Sequence, residues 1–298
     1  MDALIVRAGA LGDVLLLRSA VASLREAGHR VRLLAPAGPG RVLVGPGGVD
    51  ALVPLDGAEM AGVLGGETPE GELEVALRAD AVLALSRSVD LISTLRRFAG
   101  RLVHRDPDPP PGVHAADWFA EAAREIGGRA PQRLPPLRFS VEERRAAATV
   151  SASLPPRFLA IHPGSGAAAK NWPAERFARL ASSRTAGGGR WLLVAGPADR
   201  EAVASLQRVP GAVVAECLPS RVLGAVLSAA GLYVGNDSGV SHLAAAAGAP
   251  TLALFGPTDP VSWAPRGPLV ATLRSPDGTM AGLHSAAVEQ AAADLERA

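Results

Sequence analysis

Cysteine occurs once in the 298 residues, at position 217. That scarcity excludes an intrachain disulfide framework and a zinc site built on a cysteine cluster, and it makes a reducing, cytoplasmic compartment the expected setting. Long apolar runs are missing too: no stretch approaches the roughly 18 to 20 uninterrupted apolar residues of a membrane-spanning helix. The first apolar segment is broken by Arg7, Gly9, Gly12 and Asp13, so the layout of an export signal is lacking. Neither sign of charge dominates. Thirty basic against 29 acidic side chains leave a net charge of +1, and without a block of like charges no nucleic-acid partner is expected. Histidines and carboxylates do not cluster at metal-ligand spacing, so neither a metal nor another cofactor is expected. Lysine is as scarce as cysteine: 29 of the 30 basic residues are arginine, and Lys170 is the single exception.

What is present is apolar material, 48% of the chain, punctuated by 33 glycines and 25 prolines. That is enough for two ordinary domains. Ala3 to Arg7 reads as a strand, Gly9 to Asp13 as a turn, and Val14, Leu17, Val21 and Leu24 recur at helical spacing before Gly28. A strand over Val31 to Ala35 completes a βαβ unit, which implies a parallel sheet. Apolar runs at Ala51 to Pro54, Ala81 to Leu85 and Arg101 to His104 extend it. Prolines between Arg105 and Pro136 suggest a boundary region, and after a helix over Val141 to Ser151 the strand and helix alternation restarts at Phe158. The expected division is a first domain over 1–153, completed by a terminal helix over 283–297, and a second over 154–282. Two doubly wound α/β halves of this kind place a ligand in the cleft between them, at the carboxyl ends of the strands.

Three loops at such ends carry candidate chemistry. In the first, Gly9 and Gly12 permit close backbone approach to a ligand, and Asp13 either caps the following helix or acts as a general base, a role that calls for partial burial to raise its pKa. The glycine spacing is not that of the dinucleotide fingerprint. The second runs from His162 through Gly164, Ser165 and Gly166 to Lys170. Lys170 is either a solvated surface charge or a point charge against phosphate, and its position, as the one lysine of the chain, inside this glycine-containing loop favours the latter. The third, Asn236 to His242, ends an apolar strand and opens a helix. Asp237 or Ser238 can cap that helix while the amides from Gly239 onward face an anion. His242 either donates to the same anion or satisfies a backbone carbonyl.

These blocks, "IVRAGALGDVLL", "IHPGSGAAAKNWPAERFARLA", "LLVAGPADRE" and "LYVGNDSGVSHLAAAAGAPTLALFGPTDP", occur in the order and spacing of glycosyltransferase family 9, and the chain resembles that family of ADP-heptose:lipopolysaccharide heptosyltransferases along nearly its whole length. The resemblance implies a GT-B fold, two Rossmann-like domains facing across a cleft, and inverting, metal-independent transfer of a sugar from a nucleotide-sugar donor. It implies Asp13 as the base that deprotonates the acceptor hydroxyl, and Ser165, Gly166 and Lys170 as a phosphate-binding loop. Asp237, Ser238, Gly239 and His242 would hold the donor's diphosphate and neighbouring sugar, and Glu216 is either the carboxylate for the ribose hydroxyls or an exposed strand-end acid. The implied acceptor is a glycan or glycolipid, reached by peripheral contact with the inner membrane. A nucleotide-sugar epimerase or hydrolase of the same fold, and a non-catalytic nucleotide-sugar-binding protein, are the alternative readings.

Overall fold

The computed structural model describes residues 1–131, 133–185, 188–196 and 199–298. The chain divides into two compact units, Met1–Leu134 and Pro135–Ala298. The first contains strands β1 (Asp2–Arg7), β2 (Arg30–Ala35), β3 (Ala51–Pro54), β4 (Ala79–Leu85) and β5 (Ala99–Arg105). They form one parallel sheet in the order β3-β2-β1-β4-β5. β1 and β4 are flanked on both sides and accordingly carry near-continuous apolar runs, with Ala3 to Val6 and Ala81 to Leu85 fully buried. The helical pattern after β1 resolves into two pieces, Leu11–Leu16 and Arg18–Glu26, which bury Val14, Leu15 and Leu16 in one and Ala20, Val21 and Leu24 in the other. The glycine-rich stretch after β2 contains two short helical turns, at Ala37–Gly40 and Arg41–Leu43.

The second unit contains β6 (Leu159–His162), β7 (Trp191–Ala195), β8 (Ala212–Glu216), β9 (Leu232–Asn236), β10 (Thr251–Phe255) and β11 (Val270–Arg274). All neighbours are parallel, in the order β11-β10-β9-β6-β7-β8. Both sheets are thus doubly wound. In each, the strand order reverses between the first strand and the fourth, β1 and β4 in one unit and β6 and β9 in the other. Such a reversal opens a crevice at the carboxyl edge, because the loops of the two strands depart to opposite faces. β11 is a five-residue edge strand, apolar except for Thr272 and Arg274, that the sequence reading did not single out after Pro268. The loop expected over Gly196 to Asp199 includes residues 197 and 198, which lie outside the described residues.

Two expectations about domain limits need correction. The segment Pro135–Ser151 belongs to the second unit, not the first: the Leu137 amide donates to the Ala246 carbonyl, and Arg221 pairs with Glu143 on the helix Val141–Ser151. The terminal helix, Ser285–Arg297, is also part of the second unit. Its apolar stripe, Val288, Ala292 and Leu295, falls at helical spacing and is buried in one cluster with Leu252, Leu254 and Phe177.

Candidate functional site

In the first unit the site residues gather at the carboxyl end of β1, beside the strand-order reversal. Asp13 is the third residue of the helix Leu11–Leu16, and its Oδ2 accepts the Ala10 amide at 2.9 Å, closing the helix start from within. Its Oδ1 accepts from the Arg7 guanidinium at 2.7 Å. The helix-capping alternative is therefore realised, and it leaves lone pairs on both oxygens. Arg7, the last residue of β1, is buried, its guanidinium 5.5 Å from the centre of the Phe119 ring. Gly9 has a definite reason to be glycine: a Cβ there would stand 2.6 Å from the Asp13 Cβ. Gly12 lies inside the helix's first turn rather than in the loop before it.

In the second unit the loops after β6 and β9 meet at the corresponding reversal. Lys170 Nζ donates to Asp237 Oδ2 at 2.7 Å, so two residues 67 positions apart form one charged pair. Asp237 is buried while the lysine side chain remains 34% exposed, leaving ammonium hydrogens for a ligand. Between these loops sits Asn236, which is fully buried. Its amide donates to the Pro163 carbonyl at 2.7 Å and its oxygen accepts the Trp172 amide at 2.9 Å. One side chain thus ties the end of β9 to both ends of the β6 loop.

Ser238 caps the helix Gly239–Ala247, accepting the Ser241 amide. The capping choice left open between Asp237 and Ser238 falls to the serine, and the aspartate pairs with Lys170 instead. The first-turn amides of Gly239 and Val240 have no carbonyl one turn earlier within the helix, and both residues are partly exposed. That combination suits an anion. The helix closes on Gly248, in the left-handed region at φ +96°. His242 is buried in the first turn.

Other candidates stand apart from this constellation. Ser165 turns onto its own loop, donating to the Ala167 carbonyl and accepting the Ala167 amide. Gly166 is exposed, with open space where a Cβ would be. Glu216 closes β8 rather than following it, exposed on an edge strand.

The sequence reading missed Arg7, His162 and Asp199. His162 Nε2 lies 2.8 Å from Asp199 Oδ2 and its Nδ1 lies 3.3 Å from Ser238 Oγ, all three side chains buried. Arg7 registers in the sequence only as a break in an apolar run. A polar residue ending a buried strand, as Arg7, His162 and Asn236 each do, was the available signal. Among the described residues no group of three or more histidine, cysteine or carboxylate side chains is placed to hold a metal ion, and no helix is long and apolar enough to cross a membrane.

A family model described as glycosyltransferase family 9 (heptosyltransferase) matches residues 96–292. Lipopolysaccharide heptosyltransferase 3 of Escherichia coli is 30% identical over 115 residues, which are 36% of this chain and 34% of that protein. The match therefore spans about a third of that relative's length. Among solved structures, a family 9 glycosyl transferase from Veillonella parvula superposes with a TM-score of 0.84 at 21% identity, covering 99% of this chain and 97% of that one. The E. coli heptosyltransferase WaaC with ADP gives 0.76 at 21% identity over 99% and 100% of the two chains. E. coli ADP-heptose lps heptosyltransferase II gives 0.76 at 19% identity over 100% and 99%. At these identities the structural likeness establishes the fold, GT-B with two Rossmann-like halves.

Proposed function

The chain belongs to glycosyltransferase family 9, and on that premise we propose that it transfers a sugar from a nucleotide-diphosphate donor, ADP-heptose as the first candidate, to a hydroxyl of a lipopolysaccharide-like glycan. The observation that carries this reading is the placement of Lys170, Asp237 and the open first turn of Gly239–Ala247 around one strand-order reversal. A lysine ammonium and free helix amides are the groups that a departing diphosphate requires.

The chemistry assigned to the residues is a single displacement. The acceptor hydroxyl gives its proton to the Asp13 carboxylate as its oxygen bonds to the anomeric carbon of the donor. The bond from that carbon to the diphosphate oxygen breaks, and the diphosphate leaves with both electrons. One attack from the face opposite the leaving group inverts the configuration. Arg7 and the Ala10 amide hold Asp13 from behind, so it needs no reorganisation to accept the proton. Charge gathers on the leaving oxygens, where Lys170 and the amides of Gly239 and Val240 offset it without a metal ion.

The setting we propose is cytoplasmic, which the lone free thiol at Cys217 supports, with peripheral contact where a glycolipid acceptor meets the membrane surface. The deciding experiment is calorimetric titration with ADP, UDP, GDP and their sugar conjugates, with and without chelator, followed by product analysis with candidate acceptors. Chelator-insensitive preference for ADP is the expected result. Preference for another nucleotide reassigns the donor, release of free sugar without an acceptor points to a hydrolase, and absence of nucleotide binding removes the enzyme reading.

A further inference from the structure

Beneath the first turn of Gly239–Ala247, buried polar side chains that play no part in the displacement run in a line from Asp199 through His162, Ser238 and Ser241 to Tyr233. Every hydrogen in it has a destination. Asp199 Oδ2 accepts the Gly196 amide at 2.7 Å and faces His162 Nε2 at 2.8 Å. Burial opposes ionisation of this carboxyl, but the hydrogen bond and the charge attraction of His162, with the Gly196 amide, outweigh it and hold the group below its ordinary range. An ionised carboxylate only accepts, so Nε2 carries the proton. With Nδ1 unprotonated it is an acceptor, and Ser238 Oγ, 3.3 Å away, is placed to donate to it. That turns the serine's lone pairs toward the Ser241 amide, the bond that caps the helix. The Ser241 hydroxyl in turn donates to the Asn236 carbonyl and accepts from the buried Tyr233 hydroxyl at 3.1 Å. The line is packed as well as bonded. A Cβ on Gly164 would overlap Asp199 Oδ1, and one on Gly235 would overlap the Tyr233 hydroxyl.

We infer that His162, held in one tautomer by Asp199, is a positioning residue that draws the Ser238 hydroxyl proton inward, so that Ser238 caps the helix and donates nothing to the ligand. The bound diphosphate is then held by the main-chain amides of the first turn and by Lys170. This inference rests on the donor-site reading above, and it removes Ser238 from the set of direct phosphate donors that the family resemblance implies.

The test begins with the free protein, so that it does not depend on any ligand. With histidine labelled by nitrogen-15 and the His162 signals identified by their loss in His162→Gln or His162→Asn, the spectrum at neutral pH should show a protonated Nε2 and an unprotonated Nδ1. A proton on Nδ1 overturns the inference whatever the protein binds. ADP is then titrated into two variants that split the line in half. Asparagine places its carbonyl near the former Nδ1 and keeps an acceptor for Ser238, whereas glutamine reaches Asp199 and leaves Ser238 without one. Loss of a well-formed cap is worth about tenfold in an equilibrium of this kind, so His162→Gln should weaken ADP binding by about that factor, while His162→Asn stays within about threefold of the parent. The turnover number at saturating donor should fall with the affinity in His162→Gln, because the same first-turn amides meet the charge on the leaving oxygens. Equal losses in both variants, or a larger loss with asparagine, overturn the inference. Failure of the parent protein to bind ADP instead overturns the donor-site reading, and the nitrogen spectrum still decides the tautomer.

Discussion

The Arg7 guanidinium donates to the Asp13 carboxylate at 2.7 Å from the end of a buried strand, while the Ala10 amide reaches the other oxygen at 2.9 Å. The carboxylate is thereby fixed from two sides on its protein face, and 29% of its side chain remains open to solvent. A base held in this way needs little rearrangement to meet a hydroxyl, and its removal leaves the fold largely as it was.

Asp13→Asn should therefore lower the turnover number by about a hundredfold to ten-thousandfold, the usual contribution of a positioned general base. The asparagine oxygen can still accept the Ala10 amide. ADP affinity, measured by calorimetry, should stay unchanged, because the donor residues belong to the other unit. Equal losses in affinity and turnover would remove the base assignment.

Arg7→Met separates the positioning of Asp13 from its chemistry. The change exposes no new polar group, but it leaves Asp13 without its charged partner, at a cost of about 1–3 kcal/mol for a pair buried at one end and solvated at the other. Thermal unfolding should report that loss, and the turnover number should fall while ADP affinity holds. Unaltered turnover with reduced stability would mark Arg7 as purely structural.

Lys170→Ala should weaken ADP binding and turnover together, since the ammonium acts on charge present in the ground state and increased in the transition state. Lys170→Arg should restore little of either, because a planar fork cannot replace a point charge that must face both Asp237 and a phosphate. Parallel titrations and initial rates at two salt concentrations check this. A response to salt identical to that of the parent would place the lysine outside the site.

Asn236→Ala should cost about 3 kcal/mol of stability, because it strands the Trp172 amide and the Pro163 carbonyl in a buried place. Calorimetric unfolding measures the cost directly. A loss below about 1 kcal/mol would mean that water replaces the side chain without penalty.

The pH dependence of stability should carry the mark of Asp199. Its carboxyl is held below the ordinary range in the folded protein, so the stabilisation is complete above the unfolded-state pKa of about 4 and is lost as pH falls through the folded value. The melting-temperature difference between the parent and Asp199→Asn should accordingly be largest near neutrality and narrow below about pH 4. A difference constant across that range would contradict it.

How much of this is legible in the sequence depends on where the interaction partners lie in the chain. The strands around Ile5, Leu83, Ile161 and Val234 are short apolar runs closed by glycine, proline or polar residues, and local pattern suffices to find them. Lys170 and Asp237 can each be named from their own loops, one by rarity and the other by its place before a helix. Their pairing cannot, because it depends on the parallel registration of β6 with β9. The same holds for His162, whose partners lie 37 and 76 residues further along. Ser165 and Gly166 look like anion binders by composition, but the serine satisfies its own turn. The terminal helix is assigned to the wrong unit by sequence because an apolar stripe says that a helix packs and does not say against what.

Because the terminal helix and the segment from Pro135 onward both belong to the second unit, the first is assembled from residues 1–134 alone. Every strand of its sheet has emerged from the ribosome before the first strand of the second unit is translated. A chain cut after Leu134 therefore keeps all five strands of the sheet that carries Asp13, with β3 and β5 at its open edges as in the whole protein.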